Sequence, residues 1–325
     1  MRMYDIQEYG SARHFPWLPI LALLVACAGA VFWIRSCRAE RISETFAGDA
    51  PPGETSANAT AAARTEPEIY AEIDPPDALT HAQAEPLFAE ARTLESQGDY
   101  EGARNKLLAI LARSGSAVRP RAEEELGRVS LELIVSQRTM TGKVAYKIKP
   151  GDSLSRIAAH HNCPVPLIEK ANGITNPNRI RPGEVLWIPD KPQFSLEVSK
   201  TRNTLTLLLD GKFVKKYRVG TGANARTPIG TFRISEKTFQ PTWWPGDGRA
   251  EIPFGDPENI LGTHWLALEA TGDTPPVRGY GIHGTWDDSS IGKQSSAGCV
   301  RMKNPDVAEI FMMMPRHSPV TIVEN

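Results

Sequence analysis

The chain has no Cys-x-x-Cys pair and no His-Glu-x-x-His run, so sequence gives no support to a metal site. It also lacks a basic excess: 37 Lys and Arg stand against 38 Asp and Glu, for a formal net charge of −1. Nucleic-acid binding, which needs a cationic footprint, is not expected. Cysteine is scarce. Cys27, Cys37, Cys163 and Cys299 are the only four, and their spacing suggests no disulfide framework. Long apolar runs are scarcer still, with a single one from Trp17 to Ile34.

That run carries no charge and is about 18 residues long, the lower limit for a helix crossing a bilayer. Trp17 and Trp33 sit near its ends, where interfacial aromatics concentrate. The favoured reading is an uncleaved transmembrane anchor over 17–34 behind a cytoplasmic N-terminus, 1–16. A cleaved signal peptide is the alternative, but the small-residue stretch "ACAGA" lies mid-run instead of at its end. "LVAC", ending at Cys27, gives a third reading, a lipoprotein lipobox, and the apolar run continues past it. Arg2 and Arg13 precede the run; Arg35, Arg38 and Arg41 follow it. Charge counting alone would put the C-terminal side inside.

Residues 35–77 are rich in Ala, Pro, Glu and Thr with no apolar period, as in a disordered spacer. Across 78–140 helical spacing sets in: Leu87, Ala91 and Leu94; Ala103, Leu107 and Leu111; then Ala122, Leu126, Val129 and Leu133. Gly98 breaks the first helix and Asp99 caps the second. The segment resembles a tetratricopeptide repeat and a half; a plain helical hairpin is the alternative. One repeat cannot close a solenoid core, which makes the segment a candidate protein-docking surface.

Residues 144–190 predict a short strand at Tyr146 and Ile148, a helix capped by Asp152 or Ser153, a second helix opening near Pro166, and a returning strand "EVLWIP". His160 and His161 read as a solvated helix end, and Cys163 as a small buried apolar residue. Gly-Asp-Ser-Leu at 151–154, Asn172, Pro182-Gly183 and Leu186 to Pro189 make this βααβ unit resemble a LysM domain. The resemblance implies binding to N-acetylglucosamine-containing glycans through two loops: Gly151, Asp152, Ser153 and Leu154 in one, Asn172 and Ile174 in the other. The alternative is a LysM unit kept for packing.

From Phe194 onward the pattern is alternating strands and turns, with one helix at "PDVAEIFMMM". His264 falls in a strand and reads as structural. "GIHGTWDDSSIGKQSSAGCVRM", 281–302, surrounds His283 and Cys299 with Gly and Ser. A thiol is strongly nucleophilic only as thiolate, so it needs a base or a positive field nearby, and His283 offers the base. Gly284 and Gly298 would let backbone approach where a side chain would block it.

"YGIHGT", "SAGCVRM" and "RTPIGTF" at 226–232 together resemble the YkuD-type L,D-transpeptidase signature, over essentially 194–325. Where many members have His before Gly-Cys, this chain has Ala297. The resemblance implies Cys299 as nucleophile, His283 as base and proton donor, and the Gly284 carbonyl as the group orienting the imidazole. Ser296 and Gly298 would shape the turn, with amides near Cys299 as oxyanion donors. Arg301 either holds a substrate carboxylate or makes a structural ion pair. Trp243 and Trp244 either line a substrate lid or belong to the core. The architecture expected is multidomain: a mainly β, YkuD-like β-sandwich for catalysis, a small LysM unit and a short helical segment.

The resemblance implies a peptidoglycan L,D-transpeptidase. Cys299 would attack the carbonyl between a diamino acid and D-Ala of a stem peptide, and the acyl group would pass to a neighbouring stem as a 3→3 cross-link. No cofactor is required. Water as acceptor would make an L,D-carboxypeptidase, and a non-catalytic wall anchor is the remaining rival. The substrate lies outside the cytoplasm, so residues beyond 35 are expected in the periplasm or cell-wall space of a bacterium, against the charge count.

Overall fold

The computed structural model describes residues 74–325 apart from Asp247. The candidate anchor and all but the last residues of the candidate spacer lie outside the described residues. Among the described residues, no helix is long and apolar enough to cross a membrane.

Three helices open the described chain: α1 (His81–Ser96), α2 (Tyr100–Ala112) and α3 (Arg119–Val135). Each start has a local cause. Thr80 forms a reciprocal capping box with Gln83 at α1. The Asp99 carboxylate accepts from the Gly102 N–H at α2, and Pro120 occupies the first turn of α3. Phe88, Leu107, Ile110, Leu126 and Val129 are buried between them. Leu87 and Leu94, although on the predicted stripe, pack at its margin, because Ala84, Phe88 and Ala91 form the buried face of α1.

The next unit is β1 (Lys143–Lys147), α4 (Leu154–His160), α5 (Val165–Asn172) and β2 (Val185–Pro189). β1 and β2 pair antiparallel, Tyr146 opposite Leu186. Ser153, not Asp152, caps α4, accepting from the Arg156 N–H. Asp152 instead accepts from the Lys149 N–H at 2.8 Å and the Tyr146 hydroxyl at 2.9 Å. His161 corrects the expectation of a solvated helix end: it is buried, its Nδ1 lies 2.8 Å from Asp190, and Tyr146 packs against its ring. Of this pair, His160 is the exposed one. Cys163 is buried as expected, and burial pushes its thiol up to about 12.

The catalytic-signature region supplies β3 (Phe194–Ser199), β4 (Thr204–Leu209), β5 (Lys212–Arg218), β6 (Thr221–Gly222), β7 (Gly230–Phe239), β8 (His264–Thr271), β9 (Gly281–His283), β10 (Gln294–Ser296), β11 (Val300–Arg301), α6 (Asn304–Met313) and β12 (Pro319–Val323). This region is mainly β, as expected, and forms one continuous hydrogen-bonded ladder of eight strands, β11-β9-β8-β7-β12-β3-β4-β5. The cause is the last strand. β12 lies parallel to β3 and antiparallel to β7, which joins the hairpins on either side of it. The short β6–β10 pair stands apart. α6 buries Val307, Ile310 and Met313.

The parts share a core. α3 lies along β5, the edge strand, whose open hydrogen-bonding groups would otherwise face solvent. Ile134 of α3 belongs to the same apolar cluster as Leu167 of the βααβ unit and Val214 of β5. The Lys143 ammonium donates to the carbonyls of Leu133, Ser136 and Arg138, which satisfies the end of α3 and ties it to β1.

Candidate active site

β9 and β11 are parallel neighbours, and their register sets Arg301 beside His283. β8 continues the row with Trp265 opposite His283, and β7 with Thr238 opposite Trp265. These four residues line one cavity of about 830 Å³, together with Cys299, Ser296, Trp243 and Trp244. A cross-strand row thus forms its floor, and the segment carrying both tryptophans forms its wall.

His283 is 2% exposed. Its Nδ1 lies 2.6 Å from the Gly284 carbonyl oxygen. A carbonyl can only accept, so Nδ1 carries the proton and Nε2 is left as the basic nitrogen. Trp265 stacks on the ring with centroids 5.7 Å apart. Burial pushes the imidazole down to about 4; the Arg301 charge adds to that, and the Gly284 carbonyl opposes it. The base therefore rests neutral.

Cys299 sits half-buried on the bend before β11, its thiol 3.5 Å from the Gly279 carbonyl. Burial raises its pKa, while the Gly281 N–H and Arg301 favour the thiolate. The resting pair is thus thiol and neutral imidazole.

The loop before the thiol is held from several sides. The Ser296 hydroxyl donates to the Cys299 carbonyl at 2.6 Å and accepts from the Gly298 N–H at 3.0 Å. That amide is committed to the turn and unavailable to an oxyanion. Gly298 has φ +139°, and a Cβ there would meet the Tyr280 ring at 2.5 Å. Its carbonyl accepts from the Thr227 hydroxyl, which also accepts from the Gly222 N–H. Gly284 is required by close approach: a Cβ would lie 2.1 Å from Asn304 Oδ1. Asn304 accepts from the Thr263 N–H and donates to the Thr285 carbonyl, fixing the chain after His283.

Arg301 lines the cavity, and its Nε is buried with no hydrogen-bond partner among the described residues. Trp243 pairs its backbone with Ile252, and Trp244 is 70% exposed. Asn259 braces this wall by donating to the Pro241 and Ile252 carbonyls. Thr227, Asn259, Trp265, Tyr280 and Asn304 were not singled out by sequence reasoning. Thr227 lies inside the "RTPIGTF" motif and Asn304 three residues past Arg301, so proximity to motifs was their only signal. Among the described residues, no His, Cys, Asp and Glu cluster could hold a metal ion.

In the βααβ unit the two candidate glycan loops separate. Asn172 and Ile174 line a groove of about 660 Å³ with Thr175, Asn176, Arg179 and Gln137; residues 151–154 do not. The Asn172 amide accepts from the Trp187 N–H and donates to the Trp187 carbonyl, so it acts as a strand partner. Leu154 is buried in the core, and Gly151 donates no side chain but accepts from Arg156 through its carbonyl. Asp152 is occupied as described above, and Ser153 serves as the helix cap.

The fold and site define a mixed-sheet domain holding a histidine and a cysteine in one cavity, preceded by a βααβ unit. The L,D-transpeptidase catalytic domain family, YkuD, matches residues 193–322, and the LysM domain family matches 146–189. The L,D-transpeptidase-family protein YkuD of Bacillus subtilis is 32% identical over 185 residues, covering 55% of this chain and 98% of that protein. YqjB of the same organism is 36% identical over 129 residues, 39% of this chain and 70% of that protein. YkuD of Bacillus licheniformis is 34% identical over 183 residues, 54% of this chain and 97% of that protein. The chain belongs to the YkuD-type L,D-transpeptidase family and carries a LysM domain.

Proposed function

We propose that this chain is a cysteine-dependent L,D-transpeptidase that forms 3→3 cross-links between peptidoglycan stem peptides. The observation that carries the reading is the shared cavity: His283, oriented by Gly284, and Cys299 open onto one space large enough for a peptide. In this reading the Cys299 thiol gives its proton to His283 Nε2 as the sulfur attacks the carbonyl of residue three. His283 returns the proton to the amine of the leaving D-Ala, which breaks the C–N bond and leaves a thioester. An acceptor amine attacks that thioester and Cys299 leaves as thiolate, taking back a proton. With the Gly298 amide committed to Ser296, we assign the developing oxyanion to the Cys299 N–H. The Arg301 side chain in the cavity lining beside Cys299 supports a place for the carboxylate of D-Ala.

The LysM domain would hold glycan at its 172–186 groove and raise the local concentration of stems at the catalytic cavity. The anchor at 17–34 would place both domains outside the cytoplasm.

The test uses defined muropeptides and mass analysis of products. Wild type should release D-Ala and join two stems; Cys299→Ser should do neither. A carbapenem should add its mass at Cys299 and not to Cys299→Ser, while Cys163→Ser retains both adduct and turnover. His283→Ala should cut turnover by about 10² to 10⁴. An adduct at Cys163, or full turnover by Cys299→Ser, would overturn the mechanism.

A further inference from the structure

The catalytic cavity is electrically polarised. Arg301 stands at the nucleophile end, and Glu236 and Glu251 line the same cavity at a distance from it. The register fixes where Glu236 lies. Thr238 is two strands from His283, and Glu236 is two residues back along β7 on the same face as Thr238. At about 4.8 Å per strand and roughly 3.4 Å per residue, Glu236 lies about 12 Å from His283 along the floor. Lys237, between them in sequence, points to the opposite face, where its ammonium donates to the Phe311 and Met314 carbonyls at the end of α6. It is therefore not positioned to neutralise Glu236. Glu251 also lines the cavity, from the segment next to the Trp243–Ile252 bridge. Neither carboxylate has a cationic partner among the described residues; Glu236 receives only a long bond from the Thr238 hydroxyl, at 3.5 Å.

A ligand suited to this cavity has an anion near the reacting carbonyl and a cation about 10 Å away. We propose that Glu236 and Glu251 recognise the side-chain ammonium of the diamino acid at residue three of the donor stem. The inference rests on the reading that Cys299 acylates such a stem, and it assigns donor specificity to two residues outside the catalytic motifs. Residue three supplies the acyl carbonyl, and its extended side chain spans roughly 6 Å from Cα to the ammonium, judged from about six bonded atoms at ordinary bond lengths. A glutamate reaching inward closes the rest of the gap. Both carboxylates are exposed to solvent, so a neutral or acetylated side chain forgoes their attraction without stranding a buried charge, and the effect is modest and salt-sensitive.

The test measures binding, not turnover, on the full chain carrying Cys299→Ser. Two tetrapeptide stems ending in D-Ala are titrated by calorimetry, one with a free side-chain amine at residue three and one with that amine acetylated. Acetylation should weaken binding roughly five- to tenfold, and less at high salt. Adding Glu236→Gln and Glu251→Gln should weaken the free-amine stem by a similar factor and leave the acetylated stem unchanged. Equal binding of the two stems, or equal weakening of both by the Gln variants, overturns this assignment while leaving the catalytic reading intact. Binding of neither stem overturns both.

Discussion

At the scale of single residues, Arg301 has an effect that can be read in a pH profile. Its charge favours the Cys299 thiolate and disfavours the His283 imidazolium, so it lowers both pKa values. Arg301→Gln should raise both. Alkylation of Cys299 by iodoacetamide should then begin at higher pH than in wild type, by up to about one unit. A profile that does not move would mean that the guanidinium charge does not reach the thiol. Thr227 makes a second residue-level case. Its hydroxyl bridges the Gly222 N–H and the Gly298 carbonyl, and the side chain is 1% exposed. Thr227→Val strands both backbone groups, and should cost about 1–3 kcal/mol in denaturant unfolding. Thr227→Ser, which keeps the hydroxyl, should recover most of that loss.

Among the elements, the bend between β10 and β11 sets the position of the nucleophile. Gly298 adopts a φ that side chains rarely take, and a Cβ there would meet the Tyr280 ring. Gly298→Ala should cut carbapenem acylation at least tenfold while far-ultraviolet dichroism stays native, because the strain falls on the bend and not on the sheet. Unchanged acylation would show that the bend tolerates a shift in the thiol. The row Thr238–Trp265–His283–Arg301 is likewise a property of the strands, since a one-residue slip of β9 would turn His283 away from the cavity.

Over the whole molecule, the helical segment is joined to the enzyme, not appended to it. α3 covers the β5 edge, Ile134 shares a core with Leu167 and Val214, and Phe213 of β5 packs on the helical core. Part of the surface considered for a protein partner is therefore used internally. Leu126→Ala, at a site with no exposure, should cost about 2–5 kcal/mol. The loss should appear in one cooperative transition that also carries the catalytic domain; two separated transitions would show independent folding. The anchor reading makes a prediction at the same scale. Protease added to intact cells with a permeable outer layer should remove the LysM and catalytic domains, and full protection of both would refute an outward placement.

The sequence by itself determined the identity of the parts. Helical spacing, the Asp99 cap, strand alternation and the Gly-rich His and Cys motifs are local signals, and local signals survive in one dimension. Tertiary structure decided what distant segments do to one another. β12 returns from far along the chain into the middle of the sheet and joins the strands on either side of it into one ladder. His161 finds Asp190, 29 positions on, and is buried instead of solvated. Leu154, in one of the two loops expected to face glycan, is buried in the core, and Asn172, which lines the groove, also bonds the Trp187 backbone 15 positions on. Thr227 and Asn304 brace the site from outside its motif, and Glu236 enters the cavity from a strand two removed from His283. Pairings of this kind depend on strand order and burial, which arise only when segments far apart in the chain compete for the same neighbours.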